Sequence, residues 1–138
     1  MKDLSKSVIF QRGNKLPEQS ANNFQGTSYL NMIVPFESEL GCPIGNVTFE
    51  PGSRNYWHKH PGGKILLVTG GRGWYQEEGK GARELQAGDA VEIPCNVKHW
   101  HGAAKDSWFV HLAIEANMSA GAAEWLEKVS DEEYNKLK

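Results

Sequence analysis

Turn-forming residues cut this chain into pieces too short for anything but strands. Pro51-Gly52, Pro61-Gly62-Gly63, Gly70-Gly71, Gly79-Lys80-Gly81, Ala87-Gly88-Asp89 and Pro94 punctuate its middle, and short apolar runs lie between them. Proline removes a backbone donor, and glycine reaches the φ values that tight turns need. Turn signals at intervals of about 8 to 12 residues around short apolar runs indicate an all-β sandwich or barrel. The runs at 26–34, 46–50, 54–60, 64–69, 73–77, 82–86, 90–93, 98–102 and 108–114 read as its strands. In the first, Tyr29, Met32 and Ile33 are candidate core contacts. Gly70-Gly71 is expected to end the strand at 64–69, with 73–77 as a hairpin partner.

The ends differ from the middle. Residues 1–25 are polar and irregular apart from Ser7-Val8-Ile9-Phe10, an expected edge strand that a partner subunit could cover. The stretches 120–129 and 130–137 have helical spacing, with Trp125, Leu126, Val129 and Tyr134 as an apolar stripe. Ser130-Asp131-Glu132-Glu133 matches a capping box.

A chain of 138 residues suits one domain with a sizeable core. A net charge of -2 gives no electrostatic case for nucleic acid or an anionic membrane. Cys42 and Cys95 fit no paired-ligand spacing and read as free thiols in a reducing compartment. The opening MKDLSKSVIF holds no apolar run of signal-peptide or membrane length, so the cytoplasm is the expected location.

The five histidines carry the chemistry. They are His58, His60, His99, His101 and His111, with none before or after. Side chains alternate along a strand, so His58 and His60 share a face, as do His99 and His101. Imidazole pairs on one face are half a metal site, although two surface histidines on an edge strand would give the same pattern. His111 lies in a third strand. The same parity turns Tyr56 inward beside His58 and His60, and places Phe109, Ala113 and Glu115 on the face of His111. Trp57 and Trp100 then point outward, toward the second sheet, a neighbouring subunit or the terminal helix.

Gly52, His58, His60 and Gly70, followed by Gly88-Asp89, Pro94 and His99, resemble the two motifs of the cupin superfamily. The resemblance implies a double-stranded β-helix, or jelly-roll, barrel over about 26–115 with a helical tail over about 119–138. The runs VTFEPG at 47–52, KHWHGAA at 98–104 and HLAI at 111–114 are similar to small bacterial cupins with manganese-dependent hydroxynitrile lyase activity. That similarity implies metal ligands at His58, His60 and His99, and acid–base or substrate-contacting roles at His101 and His111. It also turns Val47 and Phe49 toward the same cavity as Phe109, Tyr56 and Glu115. A small organic substrate, a divalent manganese, iron or zinc ion, and a homodimer follow as its expected partners.

Lys64 departs from the pattern. It stands four residues after His60, where these relatives place a fourth ligand, Gln, or Glu in cupins generally. An ammonium about 4 Å from a unit charge at an effective dielectric near 20 costs about 4 kcal/mol, and a divalent ion doubles that. Lys64 therefore ligates as a neutral amine, swings away, or excludes the metal. Three readings stay open: a metal-dependent lyase for cyanohydrin or carbonyl C–C chemistry, a three-histidine iron dioxygenase, and a metal-free binder of an anion or carbonyl compound. Lys64 itself would act in the last, with the charge or the nucleophilic amine.

Overall fold

The computed structural model describes residues 9–138. Twelve strands form the body: β1 (Asn14–Lys15), β2 (Phe24–Gln25), β3 (Ser28–Val34), β4 (Ile44–Phe49), β5 (Arg54–Asn55), β6 (His58–Lys59), β7 (Lys64–Glu77), β8 (Arg83–Gln86), β9 (Ala90–Ile93), β10 (His99–Ala103), β11 (Phe109–Glu115) and β12 (Glu124–Trp125). Short helices α1 (Glu18–Ala21) and α2 (Asp131–Asn135) flank them. Every pairing is antiparallel. One sheet runs β1-β3-β4-β11-β7-β9, and the other joins β2, β5, β10, β7 and β8, with β6 and β12 along its edge.

The two sheets share β7. Its first half pairs with β11 and β9, and its second half with β10 and β8. Gly70-Gly71 therefore bends one strand of 14 residues instead of ending one strand and starting another. Gly71 sits at φ +74°, and a Cβ there would fall 1.8 Å from the carbonyl oxygen of Trp108. Only glycine permits this approach, and the neighbouring β11 answers with a register shift between Val110 and His111. The curl encloses Phe49, Leu66, Val68, Tyr75, Leu85, Val91, Ile93 and Phe109 between the sheets.

A second cluster lies on the outer face of β10. Trp57 and Trp100 pack there with Val129 and Tyr134, so the outward tryptophans meet the terminal helix. The Ser130 hydroxyl accepts from the backbone N–H of Glu133 at 3.1 Å, which is the expected cap. Arg54 locks this layer: its Nη2 donates to the Val129 carbonyl at 3.1 Å and to Asp131 at 2.6 Å, and its guanidinium covers the Tyr134 ring.

Other expectations need correction. The stretch 120–129 is not helical. Asn117 and Gly121 hold positive φ, and the chain then runs as a strap whose β12 pairs with β6. The run 54–60 is two short strands with a break at Tyr56-Trp57. Ile33 is exposed, whereas Tyr29 is buried. Of the edge expected at 7–10, Ser7 and Val8 lie outside the described residues, and Ile9 and Phe10 form a bend. The strand that covers β3 is β1 instead.

Candidate metal centre

β6 and β10 lie side by side in the register His58 opposite His99, and His60 follows β6 directly. One potential ligand nitrogen from each of His58, His60 and His99 lies within 4.8 Å of the others, and all three residues are buried. Their orientation has a simple local origin. The Nδ1–H of His58 donates to the Tyr56 carbonyl at 2.8 Å, and that of His99 to the Val97 carbonyl at 2.9 Å. Each ring thus bonds the backbone two residues earlier, and a carbonyl can only accept. The Nε2 lone pairs are left free, as a ligand requires. His60 turns its Nδ1 toward Glu115 Oε1 at 3.7 Å. The Nε2 atoms of His60 and His99 are buried without a hydrogen-bond partner. Unpartnered buried imidazole nitrogens facing one another fit a divalent ion of the manganese, iron or zinc type.

Burial keeps these rings neutral, which ligation also requires. Desolvation pushes His60 down to about 3, assisted by the positive charge of Lys64 and then by His99. It pushes His99 down to about 4, against the opposing effect of the Val97 carbonyl. His58 is held well below the usual histidine range, by burial first and His99 second.

His101 and His111 extend the cluster inward. Their ring centroids are 4.8 Å apart, and His101 lies 5.9 Å from both His58 and His99. Both are buried. Desolvation holds His101 well below its ordinary value and His111 at about 3. Neither ring nitrogen of His111 has a partner with hydrogen-bond geometry, and the Leu112 backbone beside the ring acts only to raise its pKa against the effect of burial. His101 is held by Asn55, whose Oδ1 accepts from the His101 backbone N–H at 2.9 Å and whose amide nitrogen is 3.1 Å from His101 Nε2.

A cavity of about 180 Å³ opens beside the cluster. Val47, Ala113, Lys64 and Glu115 line its inner side, and Phe24 and Trp125 its mouth. No histidine lines it: the rings lie behind the wall, and Glu115, which reaches His60, is the boundary. Lys64 neither points to solvent nor stands alone, because its Nζ is 3.4 Å from Glu115 Oε2. Phe49 and Phe109 are fully buried behind His111 with ring centroids at 5.7 Å and 5.5 Å, and they do not reach the cavity as expected. Tyr56 does not reach it either. The break at Tyr56-Trp57 resets the alternation, so Asn55 turns inward and Tyr56 does not.

Sequence reasoning therefore missed Asn55, and it missed Trp125. The indole stacks on the His58 ring with centroids 4.3 Å apart and an interplanar angle of 26°. The signal assigned Trp125 to a helix stripe; its real determinant is pairing with a strand 66 residues earlier.

Comparison with known proteins agrees with this geometry. The cupin domain model matches residues 45–115. The chain is 47% identical over 131 residues to an (R)-mandelonitrile lyase of Granulicella tundricola, covering 95% of this chain and 98% of that one. It is similar to a cupin-like protein from Thermotoga maritima, with a TM-score of 0.88 and 49% identity over 94% of this chain and 96% of that one. A predicted oxalate decarboxylase from the same organism shares the fold at a TM-score of 0.67 and 18% identity, covering 79% of this chain and 98% of that one. A curled antiparallel barrel, with histidines from β6 and β10 gathered inside it, thus matches the family model over more than half its length: the chain belongs to the cupin family.

Proposed function

We propose that this cupin is a metal-dependent lyase that cleaves a small cyanohydrin, or makes and breaks the equivalent C–C bond beside a carbonyl. The observation that carries the reading is His111, buried with both ring nitrogens unpartnered and set against His101 at the back of the three-histidine cluster. The 47% identity to a mandelonitrile lyase supports it. The cavity of about 180 Å³ lies on the Lys64 and Glu115 side of the cluster, and no histidine lines it, so the reading requires the Glu115 wall to admit substrate to His111.

His58, His60 and His99 would hold the ion. When bound, a divalent ion supplies Lewis acidity that lowers the pKa of a neighbouring hydroxyl. The chain's own groups handle the proton. A ring nitrogen of His111 takes the hydroxyl proton, the C–O bond becomes C=O, and the C–CN electron pair leaves with cyanide. The proton then passes from the imidazolium to cyanide, so HCN departs and neutral His111 is restored. Lys64, on the cavity side, is paired with Glu115. Because Lys64 already faces a carboxylate, it is less free to hold an anionic ligand, and this favours the metal-holding reading over the metal-free one.

The test is mandelonitrile cleavage by the natural chain and by His111→Gln, with metal content measured on both. We expect loss of at least about 100-fold in kcat at unchanged metal content. Full turnover by His111→Gln would remove the acid–base assignment. Oxygen uptake by the iron-loaded protein would favour a dioxygenase instead. We also propose that the chain pairs with a second copy, given exposed Phe36 and Leu40 after β3; a monomer mass by light scattering would overturn that.

A further inference from the structure

We infer that Glu115 is the counter-charge that allows a three-histidine ion site to coexist with Lys64, and that its other oxygen is the outer-shell partner placed beside His60 Nδ1. This rests on the metal-holding reading of the cluster.

The two residues are fixed opposite each other by the sheet. Glu115 at the end of β11 is the cross-strand partner of Lys64 at the start of β7. One carboxylate oxygen faces the Lys64 ammonium at 3.4 Å, and the other faces His60 Nδ1 at 3.7 Å. Neither contact is short enough for a hydrogen bond, so both are contacts of charge and dipole. Closing the His60 contact to an ordinary N–H···O length takes a shift of about 0.8 Å. The other two candidate ligands each have a backbone carbonyl behind Nδ1, Tyr56 for His58 and Val97 for His99. For His60 the group in that place is the Glu115 carboxylate. The acid is thus the third member of an outer shell whose other members are main chain.

Three neutral imidazoles bring no charge to offset a divalent ion, and Lys64 adds a positive one. Lys64 stands one carboxylate away from the cluster: its Nζ is 3.4 Å from Glu115 Oε2, and Glu115 Oε1 is 3.7 Å from His60 Nδ1. Glu77 also acts on His99, but it is already hydrogen-bonded to Tyr75 and paired with Lys80. Glu115, which touches Lys64 and His60 together, is the acid placed to neutralise the lysine beside the ligands. Lys64 can then stay at the cavity wall without displacing the ion.

The experiment is a four-chain cycle: natural, Glu115→Gln, Lys64→Gln and the double variant. Dissociation constants for Mn²⁺ and Zn²⁺ are measured by chelator competition at one pH, with folding checked by circular dichroism. Glu115→Gln should loosen the ion by about 10- to 100-fold, the range for loss of an outer-shell partner. Lys64→Gln should bind at least as tightly as the natural chain. In the Lys64→Gln background, the Glu115→Gln change should cost less than about a third of its single-variant factor, because the charge to be shielded is gone. An undiminished loss in that background would overturn the shielding, as would Glu115→Gln binding within about threefold of the natural chain. If the natural chain binds and only the cycle fails, the metal reading survives. If no folded chain of the four binds either ion, both readings fall.

Discussion

Acid should unfold the metal-stripped protein over a window set by its buried histidines. An imidazole titrates near 6.5 in an unfolded chain. In the folded chain His60 and His111 lie at about 3 and His99 at about 4, with His58 and His101 also well below the ordinary value, all by burial first. Below pH 6.5 the unfolded chain therefore binds protons that the folded chain refuses. Stability is full above about pH 6.5 and falls as pH drops toward the folded values. At pH 5.5 each group contributes a loss of RT ln(1 + 10), about 1.4 kcal/mol, and five acting independently lose about 7 kcal/mol. That equals the whole stability of many domains. Urea midpoints of chelator-treated protein should be flat from pH 8 to 7 and collapse between about pH 6.5 and 5. A bound ion, which requires neutral rings, should move the collapse to lower pH. A midpoint that changes little down to pH 5 would refute the reasoning, because it would mean the rings are solvated and protonate in the fold without penalty.

Three further outcomes follow from single contacts. Trp125→Ala removes the indole that stacks on His58 and closes the cavity mouth, so KM for an aromatic cyanohydrin should rise about tenfold with kcat within about threefold, read from initial rates against an aliphatic substrate. Gly71→Ala places a methyl against the Trp108 carbonyl at positive φ, and should cost more than about 3 kcal/mol in a denaturant titration or prevent soluble expression. Arg54→Met removes the donor to the Val129 carbonyl and the cation over Tyr134, at a cost of about 2–3 kcal/mol, whereas Asp131→Asn should cost under about 1 kcal/mol because Asp131 is mostly exposed; comparable losses in thermal melts would contradict this.

The elements that sequence located well are those set by local chemistry. The cap of α2 is read from Ser130 and Glu133 because both partners lie within one turn. The histidines of β10 are read from period two because that strand is regular. The failures share a cause, which is that the deciding partner is distant. Gly70-Gly71 looks like a stop, and becomes a bend because the carbonyl of Trp108, just before β11, lies against it. Tyr56 looks inward until a break resets the alternation and gives its place to Asn55. Trp125 looks helical until β6 offers it a strand edge. Lys64 left three fates open, and the carboxylate it faces sits 51 positions later, opposite it on β11.

Four buried nitrogens without partners explain why this cluster is more than a packed aromatic core. They are Nε2 of His60, Nε2 of His99, and both nitrogens of His111. An unmade hydrogen bond at a buried polar atom costs about 1–3 kcal/mol, so a barrel selected for stability alone would fill these places with leucine or phenylalanine. The four divide by position. Those of His60 and His99 converge with His58, where one ion satisfies them together. His111 lies outside that group of three, with its ring centroid 4.8 Å from that of His101. On the proposed reading, a second chemical partner brings a proton to His111. A hydroxyl-bearing substrate lodged between the ion and His111 satisfies both demands, and it is the same arrangement that bond cleavage beside a carbonyl needs.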